Sequence, residues 1–229
     1  MRRVTRFLFR VILILLLWSV GGVMLYKYVP VPVTPLMVRK AVSAALEGKP
    51  TTFHHTWVPM EKISPHLVSA VIASEDQRFY QHKGFDWKEI GNAIEERQSG
   101  KRQRGGSTIS QQTAKNVFLF PSRSFVRKGF EAYFTFLIEC FWSKERILEV
   151  YLNVAEMGKG IYGAEAAAQQ IFDKPASDLT RRESSLIAAC LPNPIQRNAG
   201  KPSAYVSKRA GQIRVLIPKI AYPEWINHE

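Results

Sequence analysis

Cysteine is nearly absent: the 229 residues contain two, Cys140 and Cys190. Their spacing fits no metal-ligand pattern, and their surroundings, YFTFLIEC and SLIAAC, read as two buried thiols, with a disulfide between them left open. The chain has no repeat, no glycine-rich nucleotide loop and no alternating strand-like run longer than a few residues. A sheet-dominated or dinucleotide-binding domain is therefore not expected. Acidic residues are scarce as well: 19 Asp and Glu face 32 Lys and Arg, a formal net charge of +13. That surplus suits anionic lipids or phosphate-bearing substrates. Nucleic acid, the other usual partner of such charge, is set aside because no nucleic-acid motif accompanies it.

Charge is missing altogether from Val11 to Tyr26, VILILLLWSVGGVMLY, and Phe7, Leu8 and Phe9 extend the apolar run past Arg10. Arg10 and Lys27 can reach back to the headgroups, so the run is near spanning length. Arg2, Arg3, Arg6 and Arg10 precede it and only Lys27 and Lys40 follow soon after, which by the positive-inside rule places the N-terminus in the cytoplasm. A buried core helix would leave those arginines unexplained. A cleaved secretory signal shares the pattern, but the run is long and no small-x-small cleavage site follows it. Trp18, Tyr26 and Tyr28 read as weak interfacial anchors. Pro30, Pro32 and Pro35 predict an extended stalk. The expected organisation is a cytoplasmic basic segment over 1–10, a transmembrane helix over 11–28, a stalk and membrane-proximal region over 29–50, one folded domain over 51–220 and a tail over 221–229. About 190 residues beyond the stalk are enough for a single domain with a real core.

That domain reads as mainly α-helical. Ser64 and Pro65 start a helix through HLVSAVIASED, a second covers Trp87 to Arg97, and Ser107 is placed to cap a third through TISQQTAKN. Between the last two, SGKRQRGG reads as a mobile loop. A long aromatic-rich helix runs from about Ser124 to Trp142, Ser143 caps KERILEVYLN, and IYGAEAAAQQIF is taken as helical throughout. Thr180 with Glu183 forms a capping box before RRESSLIAACL, and a last helix covers Tyr205 to Leu216.

Several residues invite a chemical reading beside a bland one. Glu75 and Asp76 end an apolar helix, where desolvation raises a carboxylate pKa towards what a general base needs, although a solvated helix end is commoner. His82 in RFYQHKG is a ligand, a proton carrier or, more commonly, simply a structural histidine. Arg127, Glu131, Thr135 and Glu139 recur at four-residue intervals on the long helix, as a surface salt-bridge ladder or as one wall of a pocket. With Lys115, Arg123 and Lys128 they suggest cations gathered around a carboxylate and able to hold a phosphorylated group. Ser107, Ser110, Gln111 and Gln112 surround a helix start suited to an anion. These parts alone fit a phospholipid enzyme as well as a carboxylate-based sugar hydrolase.

Five segments narrow the choice. EDQRFYQHKG at 75–84, GGSTISQQTAKN at 105–116, RKGFEAYFTFLIE at 127–139, KERILEVYLN at 144–153 and RRESSLIAACLPNP at 181–194 resemble, in order, the motifs of the monofunctional biosynthetic peptidoglycan glycosyltransferases. That family is related to the glycosyltransferase domain of bifunctional penicillin-binding proteins. The third segment departs mildly, at Thr135 and Ile138. The resemblance implies a lysozyme-like, two-lobed, mainly α fold with a smaller membrane-proximal jaw. It also implies polymerisation of lipid II with inversion and release of undecaprenyl pyrophosphate, and no transpeptidase activity. By it, Glu75 is the base for the acceptor 4-hydroxyl and Glu131 the second essential carboxylate, acting directly or through a divalent cation, Mg or Mn. No organic cofactor is expected. Arg78, Ser107, Gln111, Lys115, Arg123, Arg127 and Lys128 fall on substrate positions, with Asn153 bracing the site. Asp76, His82, Lys83 and Glu139 are supporting. The implied partners are lipid II, the growing lipid-linked glycan, membrane phospholipids and cell-division or envelope-synthesis proteins, at the bacterial cytoplasmic membrane with the catalytic domain outside.

Overall fold

In the computed structural model, residues 2–48, 50, 53–99, 106–122 and 124–220 are described. The elements run α1 (Arg2–Tyr28), α2 (Pro35–Leu46), β1 (His54–His55), α3 (Pro65–Glu75), α4 (Trp87–Gln98), α5 (Ile109–Phe118), α6 (Phe125–Phe141), α7 (Lys144–Val154), β2 (Glu156–Gly158), β3 (Ile161–Tyr162), α8 (Ala164–Phe172), α9 (Arg181–Cys190) and α10 (Ala204–Leu216). The mainly helical reading holds. The exception is a three-stranded sheet in the order β1-β3-β2, with β1 parallel and β2 antiparallel to β3.

Helix α1 is long and apolar enough to cross a membrane. At 1.5 Å per residue its 27 residues extend about 40 Å, beyond a hydrocarbon core of roughly 30 Å. The basic N-terminal residues thus continue the same helix rather than forming a segment of their own. Between α1 and α2 only 29–34 is without helix, because Pro35 takes the first position of α2, where a missing N–H costs nothing, and Thr34 Oγ1 accepts from Met37 N at 3.3 Å.

Two packing groups surround Glu75. Helix α3 is buried on nearly every side, from Leu67 through Ala73, and packs on α9 and α10, while α5 packs on α6 and α7. The last turns of α1 dock on the second group. Val23 is fully buried, its carbonyl accepts from Trp142 Nε1 at 2.8 Å, and Ser19 and Tyr133 share a hydroxyl contact of 2.7 Å. Arg146 donates to the carbonyls of Tyr26 and Val29 at 2.9 and 2.7 Å, using acceptors that a helix end leaves unpaired.

Three further expectations need correction. The cap of α5 is Thr108, not Ser107: Thr108 Oγ1 accepts from Gln111 N, and Gln111 Oε1 accepts from Thr108 N at 3.0 Å, a reciprocal box that a cap one residue earlier could not close. Ile161 and Tyr162 are strand, and helix α8 begins only after Gly163. Cys140 is exposed, on the outward side of α6, and both cysteines are free. The mobile loop expected at SGKRQRGG and the tail over 221–229 lie largely outside the described residues, as does Arg123.

Candidate active site

Helix α3 delivers Glu75 as its last residue. Burial pushes this carboxyl above the usual glutamate range, against the pull of hydrogen bonds from Gln112 and Ser74 and of the Arg209 charge. Gln112 Nε2, from α5, donates to Glu75 Oε2 at 2.9 Å, and Ser74 Oγ lies 3.5 Å from Oε1. Behind Gln112, the fully buried Tyr151 of α7 donates its hydroxyl to Gln112 Oε1 at 3.4 Å. Burial raises the Tyr151 pKa well above its ordinary value, so the phenol keeps its proton and the direction of donation is fixed from Tyr151 to Gln112 to Glu75.

Asp76 turns away from Glu75. Its carboxylate accepts from His82 Nε2 at 2.9 Å and from Ile109 N, at the open start of α5, at 3.0 Å. Asp86 serves α4 in the same way, accepting from the amides of Lys88 and Glu89 at 3.1 Å and from Arg78 Nη1 at 2.9 Å. Asp76, His82 and Asp86 bring potential ligand atoms within 4.8 Å of one another. The bonds just given already engage both carboxylates in holding two helix starts and a turn. Gly84, with φ +84°, completes this junction: its carbonyl accepts from Thr108 Oγ1 at 2.7 Å, and a Cβ there would lie 2.8 Å from Thr135 Cγ2.

The second carboxylate has opposite surroundings. Glu131, buried on α6, accepts from Arg127 Nη1 at 2.7 Å through one oxygen and from Lys128 through the other. Lys115 of α5 is half-buried. Burial lowers its pKa, partly offset by the fields of Glu131 and Glu75, while Arg127 and Lys128 depress it further. The four-residue ladder along α6 is real but not a solvated one: Thr135 Oγ1 donates to Glu131 O at 2.6 Å, and Glu139 accepts from Ser110 and from Lys144 Nζ at 2.7 Å.

The structure thus gathers Glu75, Lys115, Arg127, Lys128 and Glu131 around the α3–α5–α6 junction, with Asp76, His82 and Glu139 packed beside them, while Arg78, a substrate position by the resemblance, bonds Asp86. Lys83 is exposed and Ser107 half-buried. Gln111 is occupied by its capping box. Asn153 is fully buried and braces the segment before α3, exchanging 2.9 Å bonds with Val58 N and O. Gln112, the nearest hydrogen-bond partner of Glu75, is not among the substrate positions that the resemblance implies. A signal for it existed, because pairing Thr108 with Gln111 as a capping box leaves the next residue to face the site.

A desolvated carboxyl stands on one side of the site, and cations gathered about a second carboxylate stand on the other. Residues 41–216 match the family described as Transglycosylase, and the chain belongs to that family. Within it, the chain falls with the monofunctional biosynthetic peptidoglycan transglycosylases, an enzyme family. It is 59% identical to the biosynthetic peptidoglycan transglycosylase of Bacteroides thetaiotaomicron over 204 residues, 88% of this chain and 82% of that protein. It is 53% identical to the one of Caulobacter vibrioides over 213 residues, 93% and 90% of the two chains.

Proposed function

We propose that this enzyme polymerises lipid II into glycan strands at the outer face of the cytoplasmic membrane. Glu75 takes the proton of the acceptor 4-hydroxyl, the freed oxygen attacks the anomeric carbon of the lipid-linked chain with inversion, and undecaprenyl pyrophosphate leaves. Cross-linking of peptides is not part of this activity. The observation that carries the reading is the contrast between the two carboxylates. A neutral hydroxyl nucleophile needs a base with a raised pKa, which is what burial gives Glu75. Pyrophosphate is already a competent leaving group and needs its charge matched, which Lys115, Arg127 and Lys128 supply around Glu131.

Glu131 does not fit a resident divalent cation, since each of its oxygens already faces a cationic side chain. We assign it the direct role of holding Arg127 and Lys128 towards the phosphates. The two packing groups, α3 with α9 and α10 and α5 with α6 and α7, support the lysozyme-like division into lobes that the motif resemblance implies. The basic N-terminal turns of α1 support a cytoplasmic N-terminus.

The test is turnover of purified lipid II alongside affinity for a lipid-pyrophosphate donor analogue. Glu75→Gln is expected to abolish turnover with donor affinity unchanged, because the amide keeps size and loses the base. Lys115→Ala is expected to lose about ten- to a hundredfold in donor affinity, the worth of a charge-assisted phosphate contact. Glu131→Gln should fall between, with the same defect whether or not divalent cations are present. Equal loss of donor binding in Glu75→Gln and Lys115→Ala would refute this division of labour, and cleavage of lipid-free glycan by the wild-type protein would favour a hydrolase instead.

A further inference from the structure

A recess of about 590 Å³ opens between the β2–β3 hairpin, the last turn of α8 and the loop after α9. Two glycines let its walls close up: a Cβ at Gly158 would lie 3.0 Å from Ile161 Cδ1, and one at Gly200 would lie 3.1 Å from Ile171 Cγ2. Its lining is divided. Met157, Ile161, Ile171 and Ala199 supply apolar surface, Lys159, Arg197 and Lys201 supply cations, and among the described residues no carboxylate lines it. Arg197 is held in place by Ala189 O at 3.0 Å and by the Tyr205 ring, 4.9 Å from its guanidinium carbon. Lys159 and Lys201 are exposed, and no carboxylate of a described residue lies within ion-pair distance of either. Three uncompensated cations over an apolar floor favour an occupant with both carboxylate and aliphatic groups.

The position of the recess narrows the occupant. Ser74, which precedes Glu75, donates to Ala188 O at 3.1 Å, and the next carbonyl of α9, that of Ala189, holds Arg197. The recess therefore lies beside the Glu75 end of the site, on elements other than those carrying the Lys115, Arg127 and Lys128 cations. It also stands a helix length away from the contact between α7 and the anchor. Helix α7 is fastened to α1 through Arg146 in its first turn, and its 11 residues carry the chain about 16 Å along its axis before β2 begins. A membrane headgroup is thus a poorer candidate than part of the substrate. Peptidoglycan, by its composition, is a glycan bearing short peptides, and a peptide with a free C-terminus carries at least one carboxylate.

We propose that this recess receives the carboxylate-bearing peptide attached to the acceptor sugar, and so selects acceptors by the charge of that peptide. The inference rests on the reading of Glu75 as the acceptor-side base. Its test uses the full-length protein in detergent and two forms of lipid II, one with free peptide carboxylates and one with them amidated, both with the same pyrophosphate. Lys159→Glu/Lys201→Glu, at two exposed positions, is compared with the wild type, and a soluble lipid-free muramyl peptide is titrated against both by NMR. The expected result is a KM for the free-acid substrate raised about tenfold by the double variant, of the order that charge-assisted contacts contribute. The amidated substrate should keep its KM, both substrates should keep kcat, and the muramyl-peptide shifts should disappear. Equal KM values for the two substrates in the wild type, or a KM raised equally for both in the variant, would overturn the proposal. So would a variant whose only loss is binding to anionic phospholipid vesicles. If the wild type polymerised neither substrate, the functional reading would fall, and the muramyl-peptide titration would still decide the recess.

Discussion

Gln112 shows how much a single position can decide. It is the next residue after Gln111, about 100° further round α5, yet Gln111 closes the helix cap while Gln112 meets Glu75. A donor to the ionised form of a carboxyl lowers its pKa, so Gln112 partly offsets the burial of Glu75. Activity should rise with pH as Glu75 loses its proton, with the acid limb above the ordinary glutamate range. Gln112→Ala removes the offset and is expected to move that limb to still higher pH, with recovery of turnover on the alkaline side. Tyr151→Phe, which leaves the amide free to turn, should move it the same way by less. The pH profile of kcat/KM measures both. A loss of the plateau with no movement of the limb would mean that Gln112 only supports the fold.

At the scale of elements, the short hairpin before α8 has the tightest backbone approach. Gly163 has φ +83°, and a Cβ there would lie 2.5 Å from the carbonyl oxygen of Asn153. Asn153 in turn fastens Val58, and its own carbonyl accepts from the His55 ring at 3.1 Å, so the glycine joins α7, α8 and the strand β1 segment. Gly163→Ala should destabilise the domain by about 2–4 kcal/mol, from positive-φ strain and the forced shift of a buried backbone. Thermal unfolding in detergent would register this. A change below about 0.5 kcal/mol would mean that the α7–α8 junction yields, since that is the range of an ordinary surface substitution.

For the whole molecule, anchor and domain are not separate bodies joined by a stalk. Ser19, Val23, Tyr26 and Val29 of the anchor region bond to Tyr133, Trp142 and Arg146. Ser19 lies nine residues before the end of α1, so α6 and α7 together are held alongside about the last 14 Å of the helix. On the same helix Phe125, Val126, Phe130, Phe136 and Phe141 are exposed, as is Phe120 just before it. A protein starting at Pro30 is therefore expected to remain bound to phospholipid vesicles rather than become freely soluble, because each aromatic left in water forgoes about 1.5–3 kcal/mol of burial. Flotation with vesicles checks this, and Phe125→Ser with Phe136→Ser should release the shortened protein. If the shortened protein floats no better than a soluble control, the exposed face of α6 does not enter the membrane.

Local chemistry made much of this legible without coordinates. The uncharged run from Val11, the proline-led helix of Ser64 and Pro65, the capping box of Thr180 and Glu183 and the ladder from Arg127 to Glu139 depend on neighbours a few residues apart, and all four are present. Glu75 could be suspected for the same reason, since an apolar helix ending in a carboxylate already implies desolvation. Sequence spacing could not tell which groups from distant segments would meet. The contact of Gln112 with Glu75 spans 37 positions, and that of Trp142 with Val23 spans 119. Nor could it reveal that Cys140, inside an apolar sequence, faces outward, or that Ile161 and Tyr162 leave the helical pattern to pair with β1. Periodicity fixes which face of an element is apolar. Only packing against other elements decides whether that face meets protein or lies exposed and open to lipid, and which polar groups are left facing one another in the space between.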